Sequence, residues 1–82
     1  MQKEDIIFFR GDYADEIYFI MQGTVMLYSD INVPFHEFKD GDMMGASDTL
    51  LDLPRNAKAV AQTNLNMMYL TKKMFETLFQ YS

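Results

Sequence analysis

Short apolar runs separated by glycine-containing turns are the feature that most constrains how this chain folds. The runs are about four to six residues long, and turn sequences such as Gly11-Asp12 and Gly41-Asp42 divide them at close intervals. Runs of this length match ordinary β-strands and are too short for most helices. The pattern therefore predicts a mostly β protein whose strands pair antiparallel.

The strand candidates and the helices follow from periodicity. Strands are predicted at residues 6–9, 16–21, 24–28, 35–38, 56–62 and 65–70. A C-terminal helix is predicted after Thr71, a plausible N-cap, because Met74, Phe75, Leu78 and Phe79 form one apolar stripe. Tyr81 extends that stripe, which is expected to pack on the core or to receive a further helix. A shorter helical turn is predicted at residues 46–52, so the expected fold is an antiparallel barrel or jelly roll with helices packed on it.

Length and charge exclude several classes of protein. The 82 residues suffice for one domain, residues 1–82, with no visible linker or repeat. The net charge of −5 argues against nucleic acid binding through a basic face and against docking on anionic lipid. No apolar run approaches the roughly 20 residues that span a bilayer, so direct membrane insertion by this segment is not expected. With no cysteine, the chain can form neither a disulfide framework nor a thiolate metal site.

Catalytic and metal-binding constellations are not recognisable either. His36 is the only histidine, and Ser47 has no base in any visible motif, so no nucleophilic triad is predicted. Asp12, Asp15 and Glu16 are spaced unlike any calcium-binding loop. We therefore expect no catalytic residue, no metal site and no enzymatic activity.

One segment, residues 43–57, interrupts the strand pattern. Gly45 permits a backbone turn that other residues resist, and the residues after it can form one helical turn. Unpaired N–H groups at a helix start attract anions, phosphate above all. Arg55 can add a planar, two-pronged contact to the same phosphate. The segment is therefore either a phosphate cradle or an ordinary loop that carries a surface arginine.

The ordered set of motifs resembles the cyclic-nucleotide-binding domain of kinase regulatory subunits, gated cation channels and bacterial transcription regulators. The resemblance extends from about residue 5 to residue 79. Its parts are, in chain order, an apolar strand and Gly-Asp turn at residues 6–12, an acidic loop and aromatic strand at 13–20, Gly23-Thr24-Val25, Gly41-Asp42, and a phosphate-binding cassette from Gly45 to Arg55 and Ala57. The ten-residue spacing between Gly45 and Arg55 is that of the family.

The resemblance implies a fold and a ligand site. The fold would be an eight-stranded antiparallel β-roll with flanking helices, and cAMP or cGMP would bind inside it as ligand rather than cofactor. Arg55 would pair with the cyclic phosphate, and the backbone N–H groups of Ala46 and Ser47 would help to hold it. Three further roles follow from the resemblance. Asn56 would be a hydrogen-bond donor next to the arginine, and Ala57 would be a small cassette residue. The apolar wall would consist of Val25, Leu50 and Leu51.

The cassette departs from the family pattern at three positions. Ala46 replaces the glutamate that usually binds the ribose hydroxyl, and Asp48 stands where a small apolar residue is usual. Asn56 replaces the common Thr, Ser or Ala. A lost hydrogen bond to a carboxylate costs about 1.5–3 kcal/mol, and Asp48 would repel the phosphate if it faced the site. Asp48 is expected either to face the phosphate or to cap the short helix and point to solvent.

Two functional hypotheses remain. In the first, the domain is a regulatory module that couples cyclic nucleotide binding to an effector domain of the same longer chain, most readily a cation channel. In the second, it is a binding-incompetent homology domain that serves as a structural or interaction element. In either case the chain is expected to be a fragment of a longer protein, without its flanking helices. It is expected to act in the cytoplasm or at the cytoplasmic face of a membrane protein. Any oligomerisation is expected to occur through the missing parts.

Overall fold

Two antiparallel sheets and two short helices make up the fold of the computed structural model, which describes residues 2–79. The elements are, in chain order, β1 (Ile6–Phe8), β2 (Glu16–Gln22), β3 (Val25–Tyr28), β4 (Pro34–Phe38), β5 (Met43–Met44), α1 (Ala46–Leu50), β6 (Lys58–Ala61), β7 (Asn66–Thr71) and α2 (Lys72–Phe79). The first sheet has the strand order β1-β6-β3-β4 and the second β5-β2-β7. This arrangement confirms the predicted mostly β roll, although its two sheets do not close into a barrel.

The predicted elements agree with the observed ones to within about two residues at most ends. The described residues hold seven strands rather than the eight that the resemblance implied. The strand at Met43–Met44 was not predicted, because two residues carry no periodicity. Helix α2 begins where the sequence predicts, because Thr71 is its N-cap: Thr71 Oγ1 accepts a hydrogen bond from the Met74 amide at 3.1 Å. Tyr81 lies outside the described residues.

The core lies between the sheets and contains residues from both. Its buried cluster is drawn from β1, β3 and β6 of the first sheet, β2 and β5 of the second, and the loop before β7: Phe8, Val25, Ala59, Ala61, Ile20, Met44 and Leu65. Alternate residues of β6 point inward, where two alanines leave room for larger side chains from the opposite sheet. The roll is thus held by a thin core, as expected for a chain of this length.

Two Gly-Asp turns with the same geometry fix the path of the chain. In the turn 9–12, the amide of Asp12 donates to the Phe9 carbonyl at 3.1 Å, and the Asp12 carboxylate accepts from the Phe9 amide at 2.9 Å. The turn 39–42 repeats both bonds, at 2.9 Å and 2.8 Å. Gly11 and Gly41, at φ +90° and +87°, occupy the position that needs a left-handed backbone. The local sequence therefore dictates both turns.

Each turn also binds a distant residue through two backbone hydrogen bonds. The turn 39–42 joins Ile20 of β2, which accepts from Gly41 at 2.8 Å and donates to Asp42 at 2.9 Å. The turn 9–12 joins Arg55 in the same manner: Gly11 donates to the Arg55 carbonyl at 2.7 Å, and the Arg55 amide donates to the Asp12 carbonyl at 2.9 Å. The first turn thereby anchors the arginine singled out by the sequence.

Candidate functional site

The segment from Gly45 to Arg55 leaves the sheets and forms the short helix α1 and a return loop. Gly45 is the N-cap residue of α1 and has a left-handed backbone, with φ 81° and ψ 12°. The first intrahelical hydrogen bond runs from the Thr49 amide to the Gly45 carbonyl at 3.3 Å, so the amides of Ala46, Ser47 and Asp48 precede it. No side chain caps α1, and the expectation that Asp48 might do so is wrong.

The Arg55 side chain lies inside the protein. Only 2% of the residue is exposed. Its guanidinium donates through Nη1 to the Gly45 carbonyl at 2.9 Å and through Nη2 to the Glu16 carbonyl. It also lies over two aromatic rings, with Cζ 4.5 Å from the centre of Phe8 and 5.7 Å from that of Tyr18. The arginine therefore ties the start of α1 to β2 and is not the surface residue of an ordinary loop.

Gly45 is required here for a second reason besides its dihedral angles. A Cβ atom at this position would lie 2.3 Å from Nη1 of Arg55. Any side chain would displace a guanidinium that is held by two backbone carbonyls and two aromatic rings. The glycine and the arginine ten residues later therefore fit together as one unit.

Asp48 is the ionic partner of Arg55. Its Oδ2 atom lies 3.9 Å from Nη1, and its side chain is 17% exposed. The separation exceeds hydrogen-bond length, so the two groups attract by charge alone. Of the two placements that the sequence allowed for Asp48, the structure shows the one in which the carboxylate faces Arg55.

A hollow of about 290 Å³ opens next to α1, between the two sheets. We call it the cassette hollow. Its walls come from the cassette and from residues of four strands: Gly45, Ala46, Ser47, Asp48, Asn56, Phe8, Leu27, Phe38, Met43 and Met44. This volume is at the lower end of the range for small-molecule sites. Arg55 is not among its lining residues, although its Nη1 atom donates to the carbonyl of Gly45, which is.

The structure brings together only part of the residue set predicted from the sequence. Four of its members line the cassette hollow, and Arg55 lies directly behind them. Val25 and Ala57 are fully buried in the core. Leu50 faces α2 instead, in a surface cleft with Phe75 and Phe79, and Leu51 is 66% exposed.

A model of the cyclic nucleotide-binding domain matches residues 1–82, the whole chain. The chain belongs to the cyclic nucleotide-binding domain family. The resemblance drawn from its motifs is thereby confirmed. Curated protein sequences yield no significant match.

Solved structures of this family are similar over nearly the whole chain. The cAMP-bound form of the EAL enzyme Bd1971 is 25% identical with a TM-score of 0.88, and 100% of this chain covers 23% of that one. The regulatory subunit of a cAMP-independent protein kinase A from Trypanosoma brucei is 25% identical with a TM-score of 0.87, covering 94% of this chain and 28% of that one. The cAMP-bound protein PfPKA-R (141-441) is 27% identical with a TM-score of 0.88, covering 95% and 27%. This chain thus spans about a quarter of each of these solved chains, while it covers 77% of a shorter solved chain of Bd1971.

An apolar wall was predicted for the site, but the residues that form it in the cassette hollow were not. Phe8, Leu27 and Phe38 converge on it from β1, β3 and β4. Their inward orientation follows from strand alternation, which was visible in the sequence, but their meeting depends on which strands pair. In this family member, three apolar side chains from one sheet therefore line the hollow together with residues of α1.

The electrostatics of the site are dominated by Arg55, Asp48 and Tyr18. Burial raises the pKa of the Tyr18 hydroxyl above its ordinary value of 10.0, and the Glu16 carboxylate raises it further, while Arg55 opposes the shift. Tyr18 is therefore neutral at physiological pH, so Asp48 rather than Tyr18 is the counter-ion of Arg55. Chemically, the hollow presents the start of α1, several apolar side chains and one carboxylate, that of Asp48.

Other kinds of site find no support in the described part of the chain. Within residues 2–79, no group of three or more His, Cys, Asp or Glu side chains is placed to hold a metal ion. Neither α1 nor α2, the helices of that range, has the length and apolar content needed to cross a bilayer.

Proposed function

We propose that this chain is a regulatory module that binds a cyclic nucleotide, cAMP or cGMP, in the cassette hollow. The single observation that carries the proposal is the buried Arg55 behind a cassette of the family's spacing, beside an accessible hollow. Two of the related proteins are described with cAMP bound. Arg55 and the amides of Ala46 and Ser47 would hold the phosphate, and Asn56 would donate from the return loop.

The ligand signal would pass to an effector in the same longer chain. In the matched relatives the domain occupies about a quarter of the solved chain, as part of a kinase regulatory subunit or an EAL enzyme. A cation channel is our proposed effector, because the net charge of −5 disfavours contact with nucleic acid. The proposal includes a cytoplasmic location, where a cyclic nucleotide signal would reach the module.

Titration calorimetry of the chain with cAMP and with cGMP tests ligand binding. Arg55→Lys keeps the charge but loses the planar fork, and it should weaken binding at least tenfold. Arg10→Lys makes the same exchange at an exposed arginine and should have no effect. Circular dichroism of each variant checks that it is folded before titration. If neither nucleotide gives heat or a melting shift at millimolar concentration, the binding proposal is wrong.

The second candidate function, a binding-incompetent structural domain, is favoured by two specific observations. Ala46 offers no carboxylate to a ribose, and Asp48 already faces Arg55. One of the related proteins is itself described as cAMP-independent. Ala46→Glu discriminates between the candidates: binding that appears only in this variant indicates a decayed site, whereas tight binding by the unaltered chain rules the candidate out.

A further inference from the structure

The charge distribution around the cassette hollow is the reverse of what an anion site needs. Among the described residues that line it, Asp48 is the only charged one, so the wall presents a carboxylate to the interior. The cation, Arg55, lies behind this wall and is 2% exposed. A ligand that enters the hollow therefore meets the negative charge first.

Asp48 is not engaged elsewhere. Its side chain neither caps α1 nor forms a hydrogen bond within residues 2–79, and the one polar partner of its carboxylate in that range is Nη1 of Arg55 at 3.9 Å. Arg55, in contrast, is fixed by the Gly45 and Glu16 carbonyls and by the turn 9–12. Asp48 is therefore the member of the pair that can move when a competing anion arrives.

A phosphate and the Asp48 carboxylate require the same side of the same guanidinium. The carboxylate is held only by charge at 3.9 Å, whereas a phosphate can form short, charge-assisted hydrogen bonds to an arginine. Both anions cannot occupy the position without mutual repulsion at short range. Binding then requires Asp48 to leave the guanidinium.

We propose that Asp48 is an internal competitor for the ligand phosphate, which sets the affinity of the site by occupying Arg55 in the empty domain. This inference rests on the proposed function, and it names the residue that tunes it. Removing the charge should tighten cyclic nucleotide binding at least tenfold, which corresponds to about 1.4 kcal/mol.

Four chains are compared by titration with cAMP and cGMP: the unaltered chain, Asp48→Asn, Asp48→Ala and Asp52→Asn. Asp48→Asn keeps the shape and removes the charge, and Asp48→Ala guards against a failure of the asparagine variant to fold. Asp52→Asn is the matched control, because Asp52 lies in the same segment but pairs with Lys72 at 2.9 Å. Asn also tolerates the left-handed backbone of Asp52, at φ 56°.

A second readout does not depend on the nucleotide. Inorganic phosphate should raise the melting temperature of Asp48→Asn and Asp48→Ala, in which Arg55 has lost its anion, more than that of the unaltered chain or of Asp52→Asn. The inference is overturned if the Asp48 variants bind nucleotide no more than twofold tighter than the unaltered chain, or if Asp52→Asn tightens binding equally. If no chain binds nucleotide but phosphate stabilises the Asp48 variants alone, the proposed function fails while the competition at Arg55 stands. If phosphate also has no selective effect, both fail.

Discussion

Replacing Arg55 tests whether this side chain stabilises the fold in the absence of any ligand. Arg55→Ala removes a buried guanidinium that bonds two backbone carbonyls, contacts two aromatic rings and balances Asp48. Arg10→Ala is the matched control, because Arg10 is exposed and makes no recorded side-chain contact within residues 2–79. The prediction is that Arg55→Ala is strongly destabilising in the absence of any ligand.

The magnitude follows from the partners that each group retains. The Gly45 carbonyl keeps the Thr49 amide at 3.3 Å, and the Glu16 carbonyl keeps the Thr49 hydroxyl at 3.0 Å. Each lost bond therefore counts at the lower end of the range for charged hydrogen bonds, about 1.5 kcal/mol. Loss of the aromatic contacts and of the partner of Asp48 brings the total to about 3–5 kcal/mol, the usual cost of breaking a buried ion pair.

Such a loss is large for a domain of this size. At about 0.05–0.15 kcal/mol per residue, the 82 residues would have a free energy of unfolding of roughly 4–12 kcal/mol. Each kcal/mol corresponds to about 4–8 °C in a domain of 60–100 residues. Arg55→Ala should therefore lower the melting temperature by at least about 12 °C, whereas Arg10→Ala should change the free energy of unfolding by less than about 0.5 kcal/mol.

Urea denaturation followed by far-UV circular dichroism measures these differences. If Arg55→Ala is unfolded in water, Arg55→Met replaces it, since its side chain fills the space over Phe8 and Tyr18 without the hydrogen bonds. A double-mutant cycle of Arg55→Met with Asp48→Asn then isolates the ion pair, whose coupling energy we expect at about 1–2 kcal/mol. Equal urea midpoints for the Arg55 and Arg10 variants would refute the structural role of Arg55.

Three further predictions concern the supports of the site. Gly45→Ala should lower the free energy of unfolding by about 1–3 kcal/mol more than Gly41→Ala does. Both glycines have positive φ, but only at Gly45 would the new methyl group meet Arg55, at 2.3 Å. Equal urea midpoints for the two variants would contradict this. Tyr18→Phe should lessen the loss of stability above about pH 10. The pKa of the Tyr18 hydroxyl is raised in the folded state, so the unfolded chain releases this proton at a lower pH than the folded chain does. The stability that this difference contributes is present below about pH 10 and is lost as the pH rises through the folded pKa. Urea midpoints at pH 8 and at several pH values above 10 check this, and identical profiles for the two chains would exclude it. Thr71→Ala should cost about 1 kcal/mol by removing the N-cap of α2, whereas Thr71→Ser should be nearly neutral in the same assay.

The sequence was sufficient to predict the turns and the spacing of the cassette. Gly11-Asp12 and Gly41-Asp42 adopt the same turn because the glycine dihedral angle and the aspartate hydrogen bond involve only four consecutive residues. The helical turn after Gly45 was predicted for the same local reason. These features needed no knowledge of the rest of the chain.

The lining of the hollow could not be predicted in the same way. Leu27 and Phe38 meet there because β3 pairs with β4 in one particular register, and Val25, which the resemblance suggested as a wall, is buried in the core instead. Leu50 was likewise predicted as a wall residue, but it lies against α2. Each of these outcomes depends on strand pairing and helix packing between distant segments.

By itself, the sequence determined short antiparallel strands, the two Gly-Asp turns and a helical turn after Gly45, since the dihedral preferences and alternation that specify these features act over a few neighbouring residues. Only the tertiary structure decided that Arg55 bonds the carbonyls of Gly45 and Glu16 and that Asp48 turns toward it rather than to solvent. The physical reason is that a buried charge must find its hydrogen bonds and its counter-ion among whatever groups the folded chain brings within reach.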